Sequence, residues 1–455
     1  MFECSVFHNG SSDLPTKRSP AGIWINEGNL DAIHSSVQRV IRAQVRQAVL
    51  ADRLGFDYWF QTEHHFEVEG NERNSATLAV QSAIAVLTSR IRIGQLANIL
   101  PWWHPVRLAS FVAALDVLSG GRVEFGIGRG YQSRESEVFG QLLGTTMMDE
   151  EKNRAFYEEA YDFILQAWTT GSLSYQGKFL SIPPPGVLWN NAMTEAKFGD
   201  PATEYSVDRV LDIGENGPPN KKIPTIYNTT TTVKEVSIFP QPLQKPYPQT
   251  WTPVTSERSI GFAAAHGINA YFASEGTEKL RDRIRLYYQL AEESGWADRL
   301  DRGQFKYGWD AERRRGVAAG RVIYVTENGL GSEVRFRDSV NTHKAFFDAF
   351  GFYDATTTGD PYDQAKELGL TIIGSNQEVI DKIMQQKEYC GYDEDYFLGC
   401  WFEHPSLSES EIEGQMQNFA ENIMPVIAAE CGGRQEKPAV EPVARPADLV
   451  PGLAH

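Results

Sequence analysis

Cysteine is scarce in this chain. Cys4, Cys390, Cys400 and Cys431 are the four it has among 455 residues, with no C-x-x-C pair and no metal-ligand spacing. That excludes a disulfide framework or a thiolate zinc site and leads to an expectation of free thiols in a reducing, cytoplasmic setting. Positive charge is short as well: 43 Lys and Arg stand against 60 Asp and Glu, a formal net charge of −17. Neither nucleic acid nor a membrane surface is then an expected partner, since both call for a basic face. No apolar run reaches the roughly 18 residues of a membrane-spanning helix. The opening "MFECSVFHNGSSD" lacks the basic and apolar regions of a signal peptide. No internal repeat is evident. What is plentiful is apolar side chain, 41% hydrophobic with 11% aromatic, ample for a large core.

Short apolar runs alternate with helical patterns. Candidate strands are 3–8, 57–61, 91–100, 122–127, 250–254, 269–273, 321–326 and 395–401. Between the first two, Val37, Val40, Ile41, Val45, Ala48 and Val49 fall at helical spacing, and Leu108, Phe111, Val112, Leu115 and Leu118 do so after the third. Eight strand–helix units without hairpins predict a parallel sheet closed into a (β/α)8 TIM barrel, and the chain length suits closure. One segment breaks the rhythm. Residues 171–249 hold "PPPG", "GPPN", "NTTTT" and "QPLQKPYPQ", too rich in proline and glycine for regular helix or a central strand. It is expected to be a long insertion between strands 4 and 5, a lid-like excursion or a subunit contact. Residues 1–431 are read as one domain and 432–455 as a flexible, proline-rich tail.

In a barrel the loops after the strand C-termini form the active face. "QTEHHF" (61–66) follows strand 2 and puts Glu63, His64 and His65 there. A histidine at such a place can simply satisfy a core hydrogen bond. A zinc site needs three converging ligands, and adjacent residues on extended chain point to opposite sides. Acid–base work by one imidazole, oriented by its neighbours, is the third reading. After strand 4, "FGIGRGYQSRESEVFG" (125–140) alternates Gly126, Gly128 and Gly130 around Arg129. The glycines admit close backbone approach and the guanidinium suits forked phosphate contacts, although a tight strand end needs no ligand. After strand 5, Thr255, Ser256 and Ser259 lie at a helix start, a place for an anion or for plain N-capping. Strands 4 and 5 are neighbours in a barrel, so Arg129 and this helix start could grip one phosphate together.

These stretches resemble the bacterial luciferase-like flavin-dependent monooxygenase superfamily. The resemblance lies in "GFDYWFQTEHHF" (55–66), the block from 90 to 140, "SIGFAAAHG" (259–267), "IIGSNQEVIDKI" (372–383) and "NFAENIMPVI" (418–427). It implies a (β/α)8 barrel that binds reduced FMN and reacts it with dioxygen through a flavin (hydro)peroxide to oxygenate a small organic substrate. It further implies a separate NAD(P)H–flavin reductase and a homodimer. By the same resemblance Arg129 matches a phosphate-binding arginine, and Thr255, Ser256 and Ser259 match a serine-rich phosphate loop. His64 and His65 match the family's paired histidines, the first tied to catalysis. Glu135 matches an acidic position linked to flavin affinity, and Glu403 matches a glutamate facing the active-site mouth. Gln95 and Leu96 align with a place where relatives carry a non-prolyl cis peptide beside the flavin.

The chain departs from the family's pattern in three places. Gly128 stands where luciferases carry a reactive cysteine, which points to a general monooxygenase rather than a light emitter. Trp102 and Trp103 stand where relatives often have smaller residues, and the 171–249 insertion is longer than in luciferase. His64 is expected to act as base or proton relay, with a pKa set by burial and by His65 or Glu63. The alternatives are a deazaflavin-dependent hydride-transfer enzyme of the same superfamily, a non-catalytic flavin-binding protein, and a metal-dependent barrel hydrolase.

Overall fold

The computed structural model describes residues 1–22, 24–141, 144–187, 211–213, 231–273, 275–294, 316–348, 360–391 and 396–443. All eight apolar runs become strands: β1 (Phe2–His8), β2 (Tyr58–Gln61), β3 (Arg92–Gln95), β4 (Val123–Gly128), β5 (Thr250–Pro253), β6 (Asn269–Phe272), β7 (Val317–Val325) and β8 (Tyr396–Trp401). Each pairs in parallel with the next, and β8 pairs back onto β1, with Ser5 opposite Gly399. The sheet is therefore closed, the expected (β/α)8 barrel.

Helices α1 (Leu30–Leu54), α2 (Thr77–Leu87), α3 (Pro105–Ser119), α4 (Ser133–Phe139), α5 (Glu150–Thr169), α6 (Glu257–His266) and α7 (Thr277–Glu293) follow the strands as crossovers. Then come α8 (Glu333–Asp348), α9 (Pro361–Glu367), α10 (Asn376–Cys390), α11 (Glu409–Asn418) and α12 (Met424–Glu430). Local signals set their ends. Asn29 caps α1 by accepting from the Ala32 N–H at 2.9 Å, and Gly55 closes it in the left-handed conformation, φ 84°.

Aromatic side chains fill the barrel. Tyr58 and Phe397 stack at 4.7 Å, Phe60 meets Trp251 at 5.4 Å, and Phe7 stacks on Tyr271 at 5.4 Å. Such bulk needs room on adjoining strands, and glycine supplies it: a Cβ at Gly399 would overlap the Tyr271 hydroxyl.

Three features reach beyond the expected pattern. β7 starts earlier than its β-branched run, because "VAAG" is small and buried on both faces yet pairs with β6 and β8. After β7 the chain adds α8 and α9 on the C-terminal face and returns through a short strand, Thr371–Gly374, laid parallel along the end of β7. The 171–249 segment joins the end of α5 to the start of β5, so its described ends lie on the N-terminal side, opposite the mouth. There Gln244 binds Asp116 and the Val123 carbonyl. The rest of it, apart from 211–213 and 231–249, lies outside the described residues. Of the tail, residues 432–443 lie on the barrel floor: Arg434 pairs with Asp57 at 2.6 Å and Lys437 with Glu3 at 2.9 Å. Residues 444–455 lie outside the described set.

Candidate active site

The loop after β2 turns inward because its backbone is tied down: the His64 N–H donates to the Asn74 carbonyl at 3.0 Å. This buries the His64 ring, 6% exposed, between two carboxylates. Nε2 lies 3.4 Å from Glu72 and Nδ1 3.4 Å from Glu135. Nδ1 is at ion-pair distance without hydrogen-bond alignment. Glu72 also accepts from Asn9 Nδ2 at 3.1 Å, from Gln132 at 2.8 Å and from the Tyr131 hydroxyl. Glu135 accepts from the His65 N–H.

Burial alone would hold His64 neutral, but Glu72, then Glu135, then Glu63 outweigh it and the ring is pushed up to about 9. Burial raises Glu72 in turn, opposed by His64 and Tyr131. Two carboxylates thus flank one imidazole. His64 is therefore a proton donor at neutral pH. The sequence pointed to His65 and Glu63 as its tuning partners; Glu72 and Glu135 are the nearer ones.

His65 goes elsewhere. Its ring packs 4.6 Å from Phe139 and 5.8 Å from Trp102, with Nε2 3.6 Å from Glu63. Glu63 itself is held by the Ile99 N–H and the Trp103 indole N–H, each at 3.0 Å. The two tryptophans thus have separate jobs: Trp103 binds a carboxylate, and Trp102 packs on Phe139 at 5.3 Å.

Across the mouth lies a cationic corner. β4 and β5 are paired, with Trp251 opposite Gly126. A Cβ on Gly126 would overlap the Gln95 carbonyl, so only glycine lets β3 and β4 come this close. Gly128 is similarly crowded by Ile99 and Ala97, at 2.9 and 3.1 Å from a would-be Cβ. Arg129 follows, half-buried, with Asn153 Oδ1 at 3.3 Å and the nearest carboxylate, exposed Glu150, at 3.8 Å. Burial and the charges of Arg154 and Arg258 push its pKa down, which marks three guanidiniums near one another. The Arg154 Nε is buried without a partner among the described residues. At the start of α6, Ser256 accepts from the Ser259 N–H at 3.2 Å, and the Ser259 hydroxyl accepts from the Thr255 and Ser256 N–H groups at 3.1 and 3.0 Å. Both hydroxyls serve the cap, so an anion there would meet the free N–H groups of the first turn. Arg258 is itself paired with Glu151 at 2.7 Å, so a loosely held Arg129, an orphaned Arg154 N–H and a glycine-lined approach are what suit a phosphate group.

Gln95 is committed within the protein, donating to Gln81 at 2.5 Å and accepting from Asn98 at 2.9 Å. Leu96 is buried and begins a cis peptide, Leu96–Ala97, the bond just after the expected Gln95–Leu96. Glu403 is buried at the end of β8, where it accepts from the Ser11 N–H, the Asn9 N–H at 3.3 Å and the Trp401 indole at 2.7 Å. Burial opposes its ionisation, yet these N–H donors hold it below the usual carboxylate range. His8 accepts from the Gly10 N–H at Nδ1 and faces Gln47 through Nε2, a neutral tautomer that burial favours. Asn9 bridges Glu403 and Glu72, so Glu403 and His64 share one hydrogen-bonded wall.

Sequence reasoning missed Glu72, Tyr131, Asn9 and Arg154. "VEGNERN" (68–74) gives no motif, and Arg154 sits on α5 among ordinary surface charges. Among the described residues no group of three or more His, Cys, Asp or Glu could hold a metal ion. Nor is any described helix long and apolar enough to cross a membrane.

A family model described as luciferase-like monooxygenase matches residues 20–197. The alkanal monooxygenase alpha chain of Photobacterium leiognathi is 32% identical over 152 residues, 33% of this chain and 40% of that one. The chain thus spans about two fifths of the curated relatives it matches. Monooxygenase RslO1 from Streptomyces bottropensis superposes with a TM-score of 0.63 at 19% identity, covering 94% of this chain and 100% of that one. A type II Baeyer–Villiger monooxygenase, the oxygenating constituent of 3,6-diketocamphane monooxygenase from Pseudomonas putida, solved with FMN, gives 0.61 at 16% identity, covering 93% and 98%. These structures share the fold. The resemblance read from the sequence is thus supported: residues 20–197 match the luciferase-like monooxygenase model, and about a third of the chain is similar to alkanal monooxygenase chains.

Proposed function

We propose that this chain is a two-component flavin-dependent monooxygenase. It takes reduced FMN from a separate NAD(P)H–flavin reductase and uses dioxygen to oxygenate a small organic substrate, as a cytoplasmic homodimer. The observation that carries the reading is a buried His64 held between Glu72 and Glu135 on the same barrel face as Arg129 and the Arg154 guanidinium. Reduced FMN, when bound, supplies the electrons that activate dioxygen. Arg129, Arg154 and the first turn of α6 would hold its phosphate. His64 would donate a proton during oxygen transfer, within the base or proton-relay role the sequence suggested. Glu72 and Glu135 fix the ring and keep it charged, and Tyr131 and Gln132 hold Glu72 in turn. Glu403 positions the Asn9 backbone and so the far side of Glu72. Helix α8 covers the mouth and limits water at the reacting atoms.

The test is to mix purified chain with reduced FMN, labelled dioxygen and a panel of small organic compounds. The expected result is a product heavier by one labelled oxygen atom. Reduction of a substrate with no oxygen gained would replace this reading with deazaflavin-type hydride transfer.

A further inference from the structure

Met147 stands at the edge of the cationic corner, in a short helical turn, Met147–Asp149, that leads into α5. Its sulfur lies 3.8 Å from Arg129 Nη1, the nitrogen that also reaches Asn153 Oδ1 at 3.3 Å. The turn is pinned on both sides, which keeps the thioether beside the guanidinium. The Thr145 N–H donates to the Gly140 carbonyl at 2.9 Å and the Thr145 hydroxyl to the Pro101 carbonyl at 3.1 Å. On the other side the Asp149 N–H donates to the Thr146 carbonyl at 3.3 Å. Met147 is partly exposed, and its neighbour Met148 is 90% exposed. A second methionine–arginine contact, Met424 with Arg434, lies on the barrel floor, but there Met424 is only 3% exposed.

A thioether is a weak acceptor, and at 3.8 Å it leaves the Arg129 donor nearly unused. Oxidised to a sulfoxide, the same side chain carries a polar S–O group, a far better acceptor set one bond beyond the sulfur. A guanidinium N–H taken up by that oxygen is lost to an anion in the corner. The oxidant is hydrogen peroxide, which forms when reduced flavin meets dioxygen with no substrate to receive the oxygen. The sulfur lone pair attacks one peroxide oxygen, the S–O bond forms as the O–O bond breaks, and the other oxygen leaves with both protons as water. Sulfur gives up two electrons and peroxide takes them. Peroxide is little larger than water, so a partly exposed sulfur at the mouth is open to it.

We propose that Met147 is an oxidation site whose sulfoxide binds Arg129 and weakens the corner's hold on a phosphate group. Peroxide released without product would then lower flavin loading, and a methionine sulfoxide reductase would restore it. The proposal rests on the phosphate role proposed for Arg129.

The experiment treats the full chain, without flavin, with dilute hydrogen peroxide. Peptide mass spectrometry reads which methionines gain one oxygen, and flavin fluorescence reads the affinity for FMN and for riboflavin, which lacks the phosphate. Met147 and Met148 should gain oxygen, and Met424 should not. The preference for FMN over riboflavin should fall about tenfold, the scale of one charge-assisted hydrogen bond. Sulfoxide reductase should return it. Met148→Leu should respond to peroxide as the native chain does, whereas Met147→Leu should keep its own starting preference. The Arg129 side-chain ¹⁵N signals, read without flavin, should shift on oxidation of the native chain and stay put in Met147→Leu. A Met147 that resists peroxide would overturn the proposal, as would an unchanged FMN preference after its oxidation or an equal loss in Met147→Leu. A chain that binds FMN no better than riboflavin before treatment defeats the phosphate assignment instead, and the Arg129 signals then decide whether the sulfoxide binds there.

Discussion

Arg122 precedes strand β4 and Arg129 follows it, so one short strand carries a guanidinium at the floor of the barrel and another at its mouth. Arg122 spends every donor on the fold. It reaches the carbonyls of Ser119, Ile91, Ala85 and Thr88 and the Thr88 hydroxyl, all between 2.6 and 2.9 Å. Burial pushes it down to about 10, yet every N–H is answered. Arg129 has long contacts to Asn153 and the Met147 sulfur and a distant, exposed carboxylate. A cation whose donors are used up by backbone carbonyls holds loops together. One with donors to spare, beside other cations, waits for an anion.

The largest expected effect comes from the floor. Arg122→Ala leaves several buried carbonyls unpaired and should cost about 3–5 kcal/mol in urea unfolding, whereas Arg129→Ala should cost under about 1 kcal/mol. Equal costs would erase the contrast. Next is His64→Ala, expected to lower product formation about 100-fold or more while FMN affinity stays nearly intact; unchanged turnover removes the ring from the chemistry. Arg129→Ala should then weaken FMN binding by roughly 10- to 100-fold, the range of a charge-assisted hydrogen bond, as read by flavin fluorescence. An unaltered affinity sinks the phosphate assignment.

The pH dependence of stability sharpens the comparison further. His64 in the fold holds its proton to about 9 against an ordinary value of 6.5. Its protonation therefore stabilises the native state fully below about 6.5, and that contribution is lost as pH rises through about 9. Unfolding free energies of the native chain and His64→Gln, measured from pH 6 to 10, should converge over that window. A constant difference would mean a neutral ring. The smallest effect is expected from Lys437→Met on the floor, about 1 kcal/mol or less, because the partly exposed ion pair with Glu3 is screened.

Much of the barrel was legible because its strands are buried on both faces and read as continuous apolar runs, as in 395–401 and 269–273. The short strand Thr371–Gly374 was not, since its "TIIG" has meaning only beside the end of β7. The 171–249 insertion drew attention by composition, and its described ends leave from the N-terminal side, while α8 packs over the end of β8. In the site, His64 and Arg129 stood out because each sits within a local pattern after a strand. Glu72 and Arg154 carry no such pattern. They converge from separate segments, and only the closed barrel brings them within reach of their partners.

The return strand Thr371–Gly374 has a consequence for how such a chain can diversify. The return strand runs parallel to β7, with Val322 opposite Thr371 and the Val322 N–H donating to the Leu370 carbonyl at 3.0 Å, so the chain that leaves the sheet after Val325 re-enters it three residues back along the same strand. A segment anchored that way behaves as an exchangeable cassette. Its length and sequence can change at little entropic cost to the barrel, because its ends are already joined. Since it contributes α8, swapping the cassette would replace one wall of the mouth and leave the His64 and Arg129 corners standing.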